Sequence, residues 1–123
     1  MNKREIGREK EKLACIFLRK QGYDILAVNV TCRFAELDIV ARDGDCLVFV
    51  EVKYRKNGTC GGSRYAVSES KKRHIVQGAR YYLYKERTAP DTMIRFDVIA
   101  IEGKEIFHYI NAFDALGHSP MGS

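Results

Sequence analysis

The sequence predicts an α/β domain: a mixed sheet of about five strands with two helices packed on it. Three observations point there. Two stretches, 4–21 and 69–87, repeat apolar residues at helical spacing. Apolar runs rich in valine and isoleucine fill 24–32, 35–42, 46–54, 94–101 and 105–110. Turn signals, Asp43-Gly44 and Glu102-Gly103-Lys104, separate the runs that should pair. The resulting order is helix, three strands, helix, two strands.

The first helix places Ile6, Leu13, Ala14, Phe17 and Leu18 on one side, with Glu11 at the edge of that face. Gly22 ends it, as glycine tolerates the left-handed residue that closes a helix. The polar, glycine-rich stretch from Arg55 to Arg64 reads as a loop. Ser68 or Ser70 would cap the second helix, whose stripe is Ile75, Val76, Ala79, Tyr82 and Leu83. Pro90 marks its exit, and 117–123 reads as a disordered tail.

A length of 123 residues with 46% hydrophobic and 30% charged residues suits a single domain over 1–116, able to bury a core unaided. Repeats, low-complexity segments, a signal peptide and long apolar runs are not visible, so the expectation is a cytoplasmic protein with no membrane association. The cysteines (15, 32, 46 and 60) form no CxxC pair or zinc spacing and read as free thiols. Cys60 is expected to be exposed and the other three to be small core residues.

The net charge of +5 is unevenly spread. Residues 1–20 carry seven Lys/Arg against three Glu, and 53–87 carry ten against two. Residues 24–52 reverse the balance, with two basic and six acidic groups. Basic segments flanking an acidic one could draw a polyanion to a carboxylate cluster; they could equally solvate two helices.

The acidic segment holds the chemistry. Asp38 interrupts Leu37, Ile39 and Val40, and Glu51 and Lys53 interrupt the run that begins Val48-Phe49-Val50. Burying a charge costs several kcal/mol unless it is paired or metal-bound. Strand residues i and i+2 share a face about 7 Å apart, so Glu51 projects with Lys53, and Glu36 with Asp38. The hairpin makes the two strands antiparallel neighbours, with facing Cβ atoms about 5 Å apart. In a suitable register Asp38, Glu51 and Lys53 converge. Two carboxylates at about 4 Å repel by roughly 4 kcal/mol at an effective dielectric of 20. They could share a proton, pair with Lys53, or bind a divalent cation. All-oxygen ligands suit Mg²⁺ or Mn²⁺, and a metal-bound water beside a lysine suits phosphodiester hydrolysis. A half-exposed salt-bridge cluster is the alternative for so short a pattern.

Further matches surround that pattern. They are Gly7-x3-Glu11-x2-Ala14, Gly22-Tyr23-x-Ile25-Leu26-x2-Asn29, Glu36-Leu37-Asp38-Ile39-Val40-Ala41 and Phe49-Val50-Glu51-Val52-Lys53-x-Arg55. Lys71, Ala79-x2-Tyr82-Leu83, Arg95-Phe96-Asp97-Val98 and Asn111-Ala112-Phe113 follow. In order over residues 5–114, these resemble the YraN-like family, grouped with Holliday-junction-resolvase-like nucleases of the PD-(D/E)xK, restriction-endonuclease-like superfamily. The resemblance implies that core fold and a metal-dependent endonuclease acting on branched or otherwise structured DNA. It implies Asp38, Glu51 and the Val52 carbonyl as ligands to Mg²⁺ or Mn²⁺, Lys53 as the catalytic lysine, and Glu11 as an additional acid from the first helix. Glu36 fits the motif with a less defined role. Lys10 and Ala35 stand where family members usually have glycine; neither removes a ligand.

Lys71 shares the inner face of the second helix and could contact phosphate or the acidic cluster. Lys56, Arg64 and the loop glycines, with Arg55, could clasp a phosphate backbone. Tyr81 and Tyr84 point off the apolar stripe and could stack on bases. Arg95 and Asp97 could support the site from a neighbouring strand or form a structural ion pair. The three histidines form no metal spacing. A nucleic-acid-binding protein with the fold but little or no cleavage is the principal alternative function, and an interaction scaffold the third. DNA is favoured over RNA as partner, and resolvase-like resemblance leaves a homodimer open.

Overall fold

A computed structural model describes residues 2–33, 35–55 and 67–116. It contains α1 (Lys3–Lys20), β1 (Asp24–Cys32), β2 (Ala35–Asp43), β3 (Cys46–Arg55), α2 (Glu69–Lys85), β4 (Met93–Glu102) and β5 (Glu105–Phe113). The five strands form one sheet in sequence order. β3 and β4 run parallel, joined through α2, and all other neighbours are antiparallel. The mixed α/β sheet is the expected one and is consistent with a restriction-endonuclease-like core.

The helix ends follow local chemistry. The Asn2 side chain accepts the Glu5 N–H at 2.9 Å and caps α1. Gly22, with φ of 93°, closes it, and Tyr23 N–H returns to the Leu18 carbonyl. Ser68 is the cap of α2, accepting the Lys71 N–H at 3.1 Å. The β2–β3 turn uses Gly44 at φ of 60°.

The helices cover opposite faces of the sheet. Ala14, Cys15 and Leu18 of α1 pack on Ile39, Ala41, Val48, Val50, Ile99 and Ile101. Ile75, Val76 and Ala79 of α2 pack on Leu37, Val40, Phe49, Phe96 and Val98. The buried stripe of α1 therefore runs through Cys15, while Leu13 is 43% exposed. At about 100° per residue, Glu11 lies nearly in line with Leu18, at the middle of the buried face and not at its edge. Cys15, Cys32 and Cys46 are buried free thiols, as expected. Tyr84 is exposed, but Tyr81 is half-buried against the α2-side core, which leaves less of its ring for stacking.

β5 is longer than its apolar run suggests. Asn111 adopts φ of 56°, and between the Val98–Tyr109 and Phe96–Phe113 pairs β5 carries two extra residues. This bulge lets the strand continue to Phe113. The 56–64 loop, Cys60 and the 117–123 tail lie outside the described residues. Among the described residues no helix is long and apolar enough to cross a membrane.

Candidate active site

β2 and β3 pair from the turn up to Ile39–Val50. Beyond that pair β2 leaves the ladder. Leu37 enters the α2-side core and Ile39 the α1-side core, so the side-to-side alternation of the strand breaks at Asp38. The carboxylate takes over the missing ladder contact: Asp38 Oδ2 accepts the Val52 N–H at 2.8 Å. An aspartate here does what a backbone carbonyl does one pair earlier, and it keeps its other oxygen for the site.

Glu51, the next residue of β3 after Val50, is 8% exposed. Lys71 Nζ, from the first turn of α2, lies 3.5 Å from its Oε2. Burial pushes the Glu51 carboxyl from its ordinary 4.5 up to about 8, and the charge of Asp38 and a hydrogen bond with it add to the rise. Lys71 and Lys53 oppose that rise. Lys53 is half-buried on the strand face it shares with Glu51.

Glu11 reaches the cluster from α1. Burial raises its carboxyl to about 7, assisted by the charge of Asp38, a hydrogen bond with Asp38 and the charge of Glu36. A hydrogen bond from the Asn29 side chain acts the other way. Glu11 Oε1 is buried with no hydrogen-bond partner. Glu36 is exposed beside the same cleft as Glu11.

Asn29 carries a site role that the sequence reading did not assign. Val28 pairs with Ile39 and Val30 with Leu37, which sets Asn29 across from Asp38. Its φ of 51° is left-handed, a conformation asparagine tolerates better than the β-branched residues around it. The signal was an asparagine between two valines inside an apolar strand.

Asp97 belongs to a different centre. It is fully buried and accepts Arg95 Nε at 2.9 Å and Nη2 at 3.0 Å. The Asn111 N–H donates to Oδ1 at 2.9 Å, and His108 Nε2 lies 2.8 Å from Oδ2. Arg95 also donates to Asp43 and to the Tyr23 hydroxyl. Burial alone would push the Asp97 carboxyl up; the bonds with His108, Arg95 and Asn111 hold it below its ordinary value. This network ties the end of α1, the β2–β3 turn, β4 and the β5 bulge together. It is the structural ion pair, enlarged by His108.

The acidic group has the composition of a hard-cation site. The Glu51 and Glu11 carboxyls stay raised despite Lys71 and Lys53, one oxygen is orphaned, and oxygen donors suit Mg²⁺ or Mn²⁺. Among the described residues, no three His, Cys, Asp or Glu side chains are gathered closely enough to hold a metal by themselves. A cation would therefore rest on Asp38 and Glu51 with backbone, water or phosphate completing its shell, as Mg²⁺ commonly does. Arg55 ends β3, exposed; Lys56 and Arg64 lie outside the described residues.

The model of uncharacterised protein family UPF0102 matches residues 10–101. A UPF0102 protein of Lachnoclostridium phytofermentans is 48% identical over 95% of this chain and 99% of its own length. One from Caldicellulosiruptor saccharolyticus is 42% identical, covering 82% of this chain and 85% of its own. One from Legionella pneumophila is 40% identical, covering 90% and 96%. With the family model and these near full-length relatives in agreement, the chain belongs to UPF0102, the YraN family.

Proposed function

We propose that the protein is a metal-dependent nuclease that hydrolyses phosphodiester bonds in structured or branched DNA. The observation that carries this reading is the junction at Asp38. One carboxylate locks to Val52 N–H, faces Glu51 on the next strand, and meets Glu11 arriving from a helix. Side chains from three elements approach one another there, and Lys71 and Lys53 offset only part of the carboxylate repulsion, since the Glu51 and Glu11 carboxyls stay raised.

Asp38 and Glu51 would hold Mg²⁺ or Mn²⁺, with the Val52 carbonyl as a further donor. When bound, such a cation supplies charge for the phosphate oxygens and acidifies a coordinated water. Lys53 would orient or deprotonate the attacking water. Lys71, 3.5 Å from Glu51, would turn toward a phosphate of the substrate. Glu11, as the additional acid, would orient water through its unpartnered Oε1. The test is cleavage of a four-way junction and a matched linear duplex with Mg²⁺, Mn²⁺ or EDTA. Divalent-dependent products from wild type and none from Lys53→Ala are expected. Equal cleavage by both would remove Lys53 from the mechanism.

The Lys71–Glu51 ion pair favours a second reading, a nucleic-acid-binding protein with little cleavage, because it neutralises part of the site without metal. That reading gives salt-sensitive DNA binding and no divalent-dependent products.

A further inference from the structure

We infer that the cleft between α1 and β1 is a subsite for one unpaired nucleotide beside the acidic cluster. The inference rests on the nucleic-acid reading above and extends it to a surface that adjoins the acidic cluster at Glu11.

Two clefts open along this seam, of about 380 Å³ and 360 Å³. Both are lined by Arg8, Glu11 and Asn29, so both lead to the residues that meet Asp38. Arg8, Lys12 and Arg19 edge the first, and Arg4 and Arg8 the second. All four cations are exposed. At 100° per residue they fall within an arc of about 80°, and over about 22 Å of helix length. That is a track of positive charge alongside the site, long enough for several phosphates.

The first cleft adds a feature that phosphate does not need. Its wall is apolar, with Ile16 48% exposed and Val28 47% exposed beside the cations. Apolar surface rimmed by charge marks a binding site. The sugar or base of an unstacked nucleotide presents such a surface, whereas a base within a duplex does not. Phosphates on Arg8, Lys12 and Arg19, with one unpaired residue against Ile16 and Val28, satisfy both halves of the cleft. A second copy of the chain fits less well. β1 is an edge strand, but a two-fold contact centred here would set like-charged stripes against each other.

The test is binding of a fluorescein-labelled 20-nucleotide single strand and its duplex, by anisotropy across a salt series in EDTA. Cleavage does not enter it, so the subsite can fail while the nuclease reading stands, and the reverse. Arg8→Gln/Lys12→Gln/Arg19→Gln should lower the single-strand salt slope by about 2 and weaken binding at least tenfold. Ile16→Ser/Val28→Ser should weaken single-strand binding about fivefold, leave the slope unchanged and alter duplex binding less than twofold. Lys104→Gln, on the far β4–β5 turn, is the control. Should the triple variant melt early, Lys12→Gln alone should show about a third of the slope change. The inference is overturned if the stripe variants match Lys104→Gln, or if wild type binds neither strand. It also falls if Ile16→Ser/Val28→Ser weakens both substrates alike, or if that pair dissociates a wild-type dimer in sedimentation.

Discussion

Asp38 accepts the backbone N–H of Val52 at 2.8 Å, and this bond sits where the β2–β3 ladder stops. The same side chain is therefore a structural pin and the hub of the acidic cluster. Asparagine can replace the pin but not the charge. Asp38→Asn should keep the fold, lower the Glu51 and Glu11 pKa values toward 4.5, and melt no earlier than wild type at pH 8. It should lose stabilisation by Mn²⁺. Asp38→Ala should melt earlier, by a loss of about 1–3 kcal/mol for the stranded amide. Melting curves of both variants with and without Mn²⁺ check this.

Metal-free stability should fall as pH rises. Glu51 and Glu11 have folded values of about 8 and 7, above the ordinary 4.5. Below pH 4.5 both states are protonated. Between 4.5 and 8 the unfolded chain ionises more readily, so the folded state loses ground through that window. Saturating Mg²⁺ or Mn²⁺ should flatten the slope. Urea midpoints at pH 5, 7 and 9, with EDTA or metal, measure it. An equal metal effect at pH 5 and 9 would count against the cluster as the cation site.

The Asp97 network should matter to folding alone. Asp97→Ala leaves Arg95 without its buried partner and opens the β5 bulge at Asn111. Breaking a buried ion pair costs about 3–5 kcal/mol. Urea unfolding should show that loss, while folded Asp97→Ala keeps the divalent response of the acidic cluster. Loss of metal binding with the fold intact would instead place Asp97 in the site.

Asn29 joins backbone strain to the site. Asn29→Gly keeps the left-handed φ of 51° but removes the hydrogen bond to Glu11. It should fold and raise the Glu11 pKa further. Asn29→Val should be destabilised by about 1–2 kcal/mol because its branched Cβ resists that φ. Carboxyl NMR titration of Glu11 and melting of both variants distinguish the two effects.

Much of this was legible before any coordinates. The periodicities and turns placed all seven elements within a few residues, because amphipathic faces and Gly44 and Gly22 constrain the chain locally. The convergence of Asp38 with Glu51 was legible only on condition of register, which the Ile39–Val50 pair supplies. What escaped depended on irregular backbone. The break in β2 alternation at Asp38 and the left-handed Asn29 and Asn111 are invisible to a period-two pattern. His108 escaped for a different reason: its partners Phe17, Tyr23 and Asp97 come from α1, the α1–β1 turn and β4. Lys71 was placed on the correct helix face, but only the packing of α2 shows that it reaches Glu51.

The proposed nuclease activity requires the carboxylates around Asp38 to hold a divalent cation. Anomalous diffraction from crystals soaked in Mn²⁺ tests it most directly. One peak is expected about 2.1 Å from oxygens of both Asp38 and Glu51, with Lys71 drawn off Glu51. Saturating Mn²⁺ with no peak there, and Lys71 still seated on Glu51, would contradict it.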